Sequence, residues 1–363
     1  MDIERDANAG RGLVPTDAGG RLDEALGRLH RTGPELCNSL SNHAPMVVES
    51  LAARGRPEAV HAWLDRYRGR LAELPVGLWP VTEENWREAL GREDRVGDWT
   101  AFFLRETRSR PWPELLAHWW PRLLPGLYGH ATHPVIRVGH AVRALRQVST
   151  PEGVAPVGAR LDEFAHALGY WASHYVPVSG VGTAPGAPDA AGALAAVPGI
   201  VPKTGGFLRR LGRVERLPVW AAEPIEAQRA EQSLRELVAA ATHRYAEFGH
   251  GDPVMLVHAA TAPNAVLRVL PSLPTAWWPE SLRAAWTASA AVTAMYGTTE
   301  PRPHPVPERA DSEVTPGTVA ELVDRALRHG DEHVLKFVDT ALDVGDGRAV
   351  TAALRAIEWG EPL

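Results

Sequence analysis

Lys336 is one of only two lysines in this chain of 363 residues, in which arginine supplies almost all of the 38 basic side chains. The other lysine, Lys203, lies in a loop rich in glycine and proline. A buried lysine can lose its proton and then react or bind a metal ion, whereas a guanidinium group keeps its charge. The chain also contains 15 histidines, several of them at the starts of apolar helices. Together these residues predict a buried metal centre rich in histidine.

Three of the histidines share one sequence context. His43, His133 and His258 each stand shortly before a proline that is predicted to begin an apolar helix. His140 follows His133 by two helical turns and so projects from the same helix face. A single buried histidine usually forms a hydrogen bond to a backbone carbonyl. Several buried histidines would each need a separate buried hydrogen-bond partner, whereas one metal ion can bind all of their ring nitrogens. The predicted metal ligands are His43, His133, His140, His258, His333 and Lys336, with His304 as a further candidate.

The segment from His329 to Lys336 supports two interpretations. If one helix extends over the whole segment, His329, His333 and Lys336 share one face of that helix. The first five residues of the segment match the H-x-x-E-H pattern of inverted zinc peptidases. This pattern predicts a zinc hydrolase that uses His329, Glu332 and His333. In the other interpretation Asp331 caps the start of a helix, and His329 stays in the loop before it. Asp331 and Glu332 are then the carboxylates expected to orient the imidazole ligands.

A third interpretation needs no metal, because a helical binding protein could hold the same histidines as core residues. Other catalytic patterns are absent from the sequence: it has no nucleophile elbow, no P-loop and no H-E-x-x-H. Gly180 and Gly182 lie in a loop with no strand before them and make no dinucleotide fingerprint. No binding motif is therefore found for NADPH or a flavin, and NADPH as a reductant stays open. The histidines interpreted as structural or surface residues are His118, His166, His174, His243 and His250.

The elements that position these residues are predicted to be helices. Apolar residues recur at helical spacing along most of the chain, and few segments alternate with the period of a strand. The sequence predicts an all-α fold with one large domain over residues 21–363, after a disordered leader of residues 1–20. Residues 176–206, rich in Ala, Gly and Pro, predict a long loop or a lid. Most of the 13 tryptophans are expected to fill the core, and a few to line a substrate pocket.

Charge and composition exclude several classes of function. The formal net charge is 38 − 44 = −6, and the arginines form no stripe, so no nucleic-acid partner is expected. Cys37 is the only cysteine, which excludes an intramolecular disulfide and a metal site of several cysteines. We find no signal-peptide core and no apolar run of roughly 20 residues that would cross a membrane. A cytoplasmic protein without a membrane partner is expected, and its oligomeric state is left open.

At its histidine motifs the chain resembles the questin oxidase-like family, which comprises helical oxygenases of aromatic polyketide pathways. The motifs occur in the family's order from about residue 40 to the end of the chain. They are Asn42-His43-Ala44-Pro45, the segment from Gly129 to Leu145, Val257-His258-Ala259-Ala260-Thr261-Ala262, and the segment from His329 to Lys336. Each motif is moderately specific, and the ordered set is considerably more so.

The resemblance implies cleavage of a C–C bond in an anthraquinone-like aromatic polyketide, by dioxygenase or Baeyer–Villiger-like chemistry with O₂ as co-substrate. It also implies a mononuclear non-haem Fe(II) centre held by four histidines and a lysine that carbon dioxide has carboxylated. Lys336 occupies the lysine position in this chain. Some relatives carry a histidine where this chain has Arg137, which leaves the ligand set of that helix open. The implied histidines are His43, His133 and His258, with the fourth to be chosen among His140, His333 and His304.

Overall fold

Helices make up most of the structure. The computed structural model describes residues 16–148, 158–220, 226–303 and 314–363, and it is 70% helical. Within these ranges the strands form two small sheets. They are an antiparallel pair of β1 (Thr32–Leu36) and β2 (Leu71–Glu73), and a parallel pair of β3 (Gly182–Ala184) and β4 (Arg216–Pro218). The predicted all-α single domain is confirmed.

The helices follow the apolar segments seen in the sequence. In chain order they are α1 (Thr16–Leu29), α2 (Ala44–Ala53), α3 (Val60–Tyr67), α4 (Trp86–Ala89), α5 (Val96–Ser109), α6 (Trp112–Leu123), α7 (His133–Val148), α8 (Gly158–Ser173), α9 (Ala190–Ala195), α10 (Phe207–Leu211), α11 (Ala227–Phe248), α12 (Pro253–Leu256), α13 (His258–Val269), α14 (Trp278–Tyr296), α15 (Pro316–His329), α16 (Glu332–Val344) and α17 (Gly347–Trp359). Helix α1 begins at Thr16, so the last five residues of the predicted leader are helical, and residues 1–15 lie outside the described ranges.

Four helices form the centre of the fold. Helix α7 packs against α2 and α13, and α16 packs against the same two helices, so that the four make a closed ring. Two apolar cores flank this ring: a larger one built on α5, α6, α8, α11 and α14, and a smaller one built on α1, α3, α15 and α17. The N-terminal ends of α2, α7, α13 and α16 meet inside the protein, as the sequence predicted.

Close packing of α7 on α13 depends on a glycine. A Cβ atom at Gly139 would lie 2.7 Å from both the Cα and the Cβ of Ala265 on the facing helix. Such a distance is shorter than real Cβ atoms show, so only glycine lets the two helices approach this closely. The separation of the two helices in turn sets the separation of the histidines at their starts.

The start of α13 differs from the prediction. The sequence suggested that Pro263 begins a helix, but the helix begins at His258 and Pro263 lies inside it. A proline within a helix cannot donate a hydrogen bond to the carbonyl four residues earlier, which is that of Ala259. Here the hydroxyl of Ser289, on α14, donates to the Ala259 carbonyl at 2.7 Å. This partner removes much of the cost of the internal proline.

The predicted long loop at residues 176–206 contains regular structure. It includes β3 and the short helix α9, and the backbone N–H of Ile200 donates to the carbonyl of Ala294 on α14. Valine side chains of the segment pack against the larger core. The prediction that no apolar run reaches membrane-spanning length was wrong for Pro253–Ser272, which is long and apolar enough among the described residues.

This segment is nevertheless mostly buried, because 72% of its most apolar window lies inside the protein, as in a core helix.

Candidate metal centre

Three imidazole rings meet where the central helices begin. His43 directly precedes α2, and His133 and His258 are the first residues of α7 and α13. The Nε2 atom of His133 lies 2.7 Å from Nε2 of His43 and 3.0 Å from Nε2 of His258. All three side chains are buried, with at most 6% of each residue exposed. The structure thus brings together three histidines that are 90 and 125 positions apart in the chain.

The other nitrogen of each ring is held by the backbone. The Nδ1 atoms of His43 and His258 lie 2.8 and 3.0 Å from the carbonyl oxygens of Ser41 and Met255. The Nδ1 atom of His133 makes the same kind of bond to the carbonyl of His130. A carbonyl only accepts hydrogen bonds, so each Nδ1 must carry the proton of its neutral ring. All three Nε2 atoms therefore present lone pairs to one another.

Such an arrangement is unfavourable without a cation between the rings. A proton could occupy the gap only if one imidazole became a buried cation. Burial, the neighbouring imidazoles and Lys336 hold the pKa of His43, His133 and His258 well below 6.5, so these rings stay neutral at neutral pH. Two nitrogens at a right angle and about 2.1 Å from one metal ion lie about 3.0 Å apart, which is close to the observed spacing. The residues fit a metal ion.

Lys336 extends the cluster. Its Nζ atom lies 3.1 Å from Nε2 of His258, and only 1% of the residue is exposed. Burial lowers the pKa of Lys336 to about 7, although the carboxyl groups of Glu332 and Asp331 act in the opposite direction. Near neutral pH a large fraction of the amine is therefore unprotonated, and a free amine can bind a metal or react with carbon dioxide.

His333 is the fourth imidazole at this place. Its ring centroid lies 4.4 Å from that of His43 and 5.8 Å from that of His258. One ligand nitrogen from each of His43, His133, His258 and His333 lies within 4.8 Å of the other three. The His333 side chain is 15% exposed, so the cluster opens to solvent on this side.

His140, which the sequence also suggested as a ligand, has other partners. Its Nδ1 atom lies 2.7 Å from a carboxylate oxygen of Glu49, and Arg268 approaches its Nε2 atom at 3.4 Å. It lies in an ionic layer between the same four helices, where three partly buried arginines face three carboxylates, two of them buried and one exposed. These residues are Arg54, Arg143 and Arg268, and Glu49, Asp339 and Asp343. Burial lowers the pKa of His140, and the balanced layer supports the helices below the histidine cluster.

The geometry brings together only part of the site of the zinc-hydrolase interpretation: Glu332 and His333 lie with Asp331 in a group that could hold a metal, but His329 does not. Gly330 ends α15 in the left-handed conformation, with φ of 84°, so His329 and His333 lie on different helices. The Nε2 atom of His329 lies 3.3 Å from the carbonyl oxygen of Gly360, and His329 is not part of any cluster able to hold a metal among the described residues. Asp331 caps α16, as the sequence predicted, by accepting from the backbone N–H groups of His333 and Val334.

The remaining predicted residues have distinct places. The carboxylate of Glu332 is buried, 3.5 Å from the Arg70 guanidinium, and its Oε2 atom has no hydrogen-bond partner within the described ranges. Arg137, where some relatives carry histidine, makes a buried two-point ion pair with Glu163 at 2.6 and 2.8 Å. His304 lies outside the described residues.

A second group of possible metal ligands was missed by the sequence analysis. It consists of Glu35, His130 and His174, of which His174 was interpreted as structural or surface. No spacing in the sequence connects them, because they come from β1, from the turn before α7 and from the end of α8. Only the fold brings them together.

The tryptophans mostly fill the core, as expected. Trp63, Trp99, Trp119, Trp120 and Trp171 are fully buried. Trp220 and Trp286 instead line a cavity of about 390 Å³ together with Tyr128 and residues 178–183. None of the clustered histidines lines this cavity.

Comparison with known proteins agrees with these motifs. The family model described as questin oxidase-like matches residues 40–175, which confirms the resemblance predicted from the sequence. The matched part is a little more than a third of the chain, and it contains His43, His133 and His140. No curated protein matches the chain. His258, His333 and Lys336 lie beyond the matched residues. The fold brings them next to His43 and His133.

Proposed function

Because residues 40–175 match the questin oxidase-like family, we propose that this protein is a metal-dependent oxygenase that acts on an aromatic polyketide. The family supports an oxidoreductase of polyketide pathways in general. The observation that carries the proposal is the meeting of three neutral imidazoles, with their Nε2 lone pairs 2.7–3.0 Å apart, beside a buried lysine amine. We propose Fe(II) as the metal, since imidazole ligands suit iron and leave positions for other ligands.

His43, His133 and His258 would hold the metal through Nε2, and His333 would complete the set of four histidines. Each Nδ1–H bond to a backbone carbonyl fixes the ring and its tautomer, which is how metal-binding histidines are usually oriented. Lys336 would supply the fifth ligand. A bound Fe(II) ion would supply the binding and activation of O₂.

We propose that Lys336 binds as a carbamate. The neutral amine adds to carbon dioxide and releases one proton, which gives an N-carboxylate with one negative charge. The N-terminal ends of four helices meet here, and helix N-termini stabilise nearby anions. The depressed pKa of about 7 for Lys336 makes the neutral amine available for this addition. An arginine at this position could not react in this way.

The substrate would approach from the side of His333, because the other three imidazoles are sealed from solvent. Arg70 lies on this side of the cluster, near Glu332 and above the ring of Tyr67. A hydroxyquinone is acidic, and the Arg70 guanidinium would pair with its phenolate oxygen. In the dioxygenase form of the reaction both atoms of O₂ would enter the product as the ring C–C bond breaks, and the substrate itself would supply the electrons. In the Baeyer–Villiger-like form one oxygen atom would insert into the C–C bond beside the ring carbonyl, and an external two-electron reductant such as NADPH would be needed to reduce the other atom to water.

The proposal is tested by reconstituting metal-free protein under anaerobic conditions with Fe(II), Mn(II) or Zn(II). Oxygen uptake is then measured with a panel of hydroxyanthraquinones, with and without NADPH as reductant, and the products are analysed after reaction under ¹⁸O₂. We expect uptake with Fe(II) and a ring-opened product with two labelled atoms for a dioxygenase or one for Baeyer–Villiger-like chemistry. Lys336→Met should abolish uptake, and Lys203→Met is the matched control. Equal activity with Zn(II), or no oxygen uptake with any metal, would contradict the proposal.

A further inference from the structure

Glu35, His130 and His174 lie together on the far side of the turn that precedes α7. A carboxylate oxygen of Glu35 lies 3.4 Å from Nε2 of His130 and 3.7 Å from Nε2 of His174. The two imidazole rings are edge to face, with centroids 4.3 Å apart. The donor atoms of the three residues all lie within 4.8 Å of one another.

The side chain of His174 presents a buried ring nitrogen to this group. Only 3% of the residue is exposed, and its Nδ1 atom lies 2.9 Å from the hydroxyl of Ser173 and 3.2 Å from the carbonyl of Tyr170. The carbonyl can only accept, so Nδ1 carries the proton and Nε2 carries a lone pair. Among the residues that the structure describes, that buried Nε2 atom has no hydrogen-bond partner, and it lies 3.7 Å from a carboxylate oxygen of Glu35. A cation between them would satisfy both groups.

The backbone holds His130 at this place. His130, Ala131 and Thr132 all have positive φ, at 43°, 52° and 69°, which is an unfavourable conformation for residues with a side chain. A Cβ atom at Gly129 would lie 1.7 Å from the carbonyl oxygen of His174, so glycine is required for the turn to touch the end of α8. Strained backbone of this kind persists where the surroundings fix it, and it is concentrated at functional sites.

We propose that Glu35, His130 and His174 form a second site for a divalent first-row transition metal, separate from the centre at His133. Ligands about 2.0–2.1 Å from a tetrahedral ion lie about 3.4 Å apart, which matches the 3.4 Å between Glu35 and His130. Two imidazoles and a carboxylate are a common ligand set for zinc with an open position. The side chains of Glu35 and His130 are 32% and 21% exposed, so water can reach the open position.

The two sites share the turn before α7. The carbonyl of His130 accepts from Nδ1 of His133, so a metal held by the ring of His130 would also fix the backbone that orients a residue of the first centre. A carboxylate of Glu93, 3.8 Å from Nε2 of His130, lies at the solvent side of the group. The second site would therefore join β1, the turn and α8 around a structural cation.

The test is the metal stoichiometry of the full chain, measured by titration of metal-free protein with Co(II) and Zn(II). The readouts are elemental analysis after desalting and the intense visible absorption of tetrahedral Co(II). We expect two ions per chain in the wild type, one in Glu35→Ala and one in His258→Ala, with the tetrahedral Co(II) spectrum lost in Glu35→Ala and kept in His258→Ala. Glu73→Ala, on the neighbouring strand β2, is the matched control and should keep two ions.

His130→Ala provides a second variant of the new site. It should also bind one ion and lose the tetrahedral spectrum, and circular dichroism verifies that each variant is folded. An ion count that is the same in the wild type, Glu35→Ala and His130→Ala overturns the proposal. If neither variant folds, His258→Ala decides: one remaining ion supports the second site, and none overturns it. Failure of metal binding at the first centre would instead leave one ion in both the wild type and His258→Ala, and that ion would be lost in Glu35→Ala.

Discussion

The Nε2 atoms of His43 and His133 lie 2.7 Å apart, although neither ring carries a proton to place between them. Both Nδ1 atoms are bound to backbone carbonyls, so the tautomers are fixed by the fold. Two hydrogen-bond acceptors therefore face each other in the protein interior. This contact costs free energy of folding unless a cation binds between them. This relationship leads to a set of measurable consequences.

Removal of the metal should destabilise the protein. The metal-free cluster leaves three lone pairs facing one another, and a ligand that binds only the folded state adds about 2.7 kcal/mol when its concentration is 100 times its Kd. We expect a chelator to lower Tm, and Fe(II) or Zn(II) to restore it. His133→Ala should remove the part of this response that comes from the first centre, because His133 contacts both other rings. His250→Ala, whose ring bonds to the carbonyl of Glu247, should respond like the wild type.

Lys336 should carry a carbamate. Protein equilibrated with ¹³C-labelled bicarbonate is expected to show one carbamate resonance in its NMR spectrum. Because the chain has only two lysines, Lys336→Met should remove this resonance and Lys203→Met should keep it. A resonance that survives in Lys336→Met, or is absent from the metal-loaded wild type, would exclude the carbamate.

Stability of the metal-free protein should rise with pH above neutrality. The pKa of Lys336 falls from 10.5 to about 7 on folding, so between these values the unfolded chain binds a proton that the folded protein does not. The free energy of unfolding then increases with pH in this window, by at most about 1.4 kcal/mol per pH unit. Below about pH 7 the lysine is protonated in both states and its full destabilising effect is present.

Comparison with Lys336→Met isolates this effect. The methionine variant should lack the rise, because it removes the group that titrates. Unfolded histidines have a pKa of about 6.5 and still bind some protons at pH 7, but the 15 histidines are the same in both proteins, so their contribution cancels in the comparison. Denaturant unfolding of both metal-free proteins at pH 7, 8 and 9 measures the difference. Parallel curves for the two proteins would show that Lys336 titrates normally.

His333, and not His140, should affect metal affinity. His333 lies with the three central imidazoles, whereas both ring nitrogens of His140 face Glu49 and Arg268. We expect His333→Ala to weaken metal binding by at least tenfold, and His140→Gln to leave the affinity nearly unchanged while lowering Tm. Competition against a chelating dye measures both affinities. A larger loss in His140→Gln would reverse the assignment of the fourth histidine.

Gly139 should control the separation of two ligands. Helix α7 carries His133 and helix α13 carries His258, and the helices touch at Gly139 and Ala265. Gly139→Ala is expected to push them apart, at a cost of about 1–3 kcal/mol in unfolding free energy, and to weaken metal binding. Gly27→Ala is a suitable control, because a Cβ atom there would meet no atom within 4 Å. Metal affinity and denaturant unfolding of the two variants test the relationship.

The sequence by itself determined the helical architecture and most of the candidate ligands. Apolar residues at helical spacing fix which face of each helix is buried, and Asp331 at the start of α16 and Pro45 in the first turn of α2 are local features that the chain carries regardless of tertiary context. Lysine is scarce in a chain that otherwise uses arginine, and this scarcity also indicated a special role for Lys336. Each of these inferences depends on residues close together in the chain.

The tertiary structure decided which histidines meet. His140 and His133 lie on the same helix face, yet His140 is seven residues further along α7 and faces the ionic layer of Glu49 and Arg143, while His133 faces His43 and His258. The separation of His329 from His333, and the meeting of Glu35 with His174, likewise depend on contacts between distant elements. The spacing of residues along the chain fixes the direction in which each side chain projects from its own helix. The atoms that face that side chain belong to other helices, and only the packing of those helices determines which atoms they are.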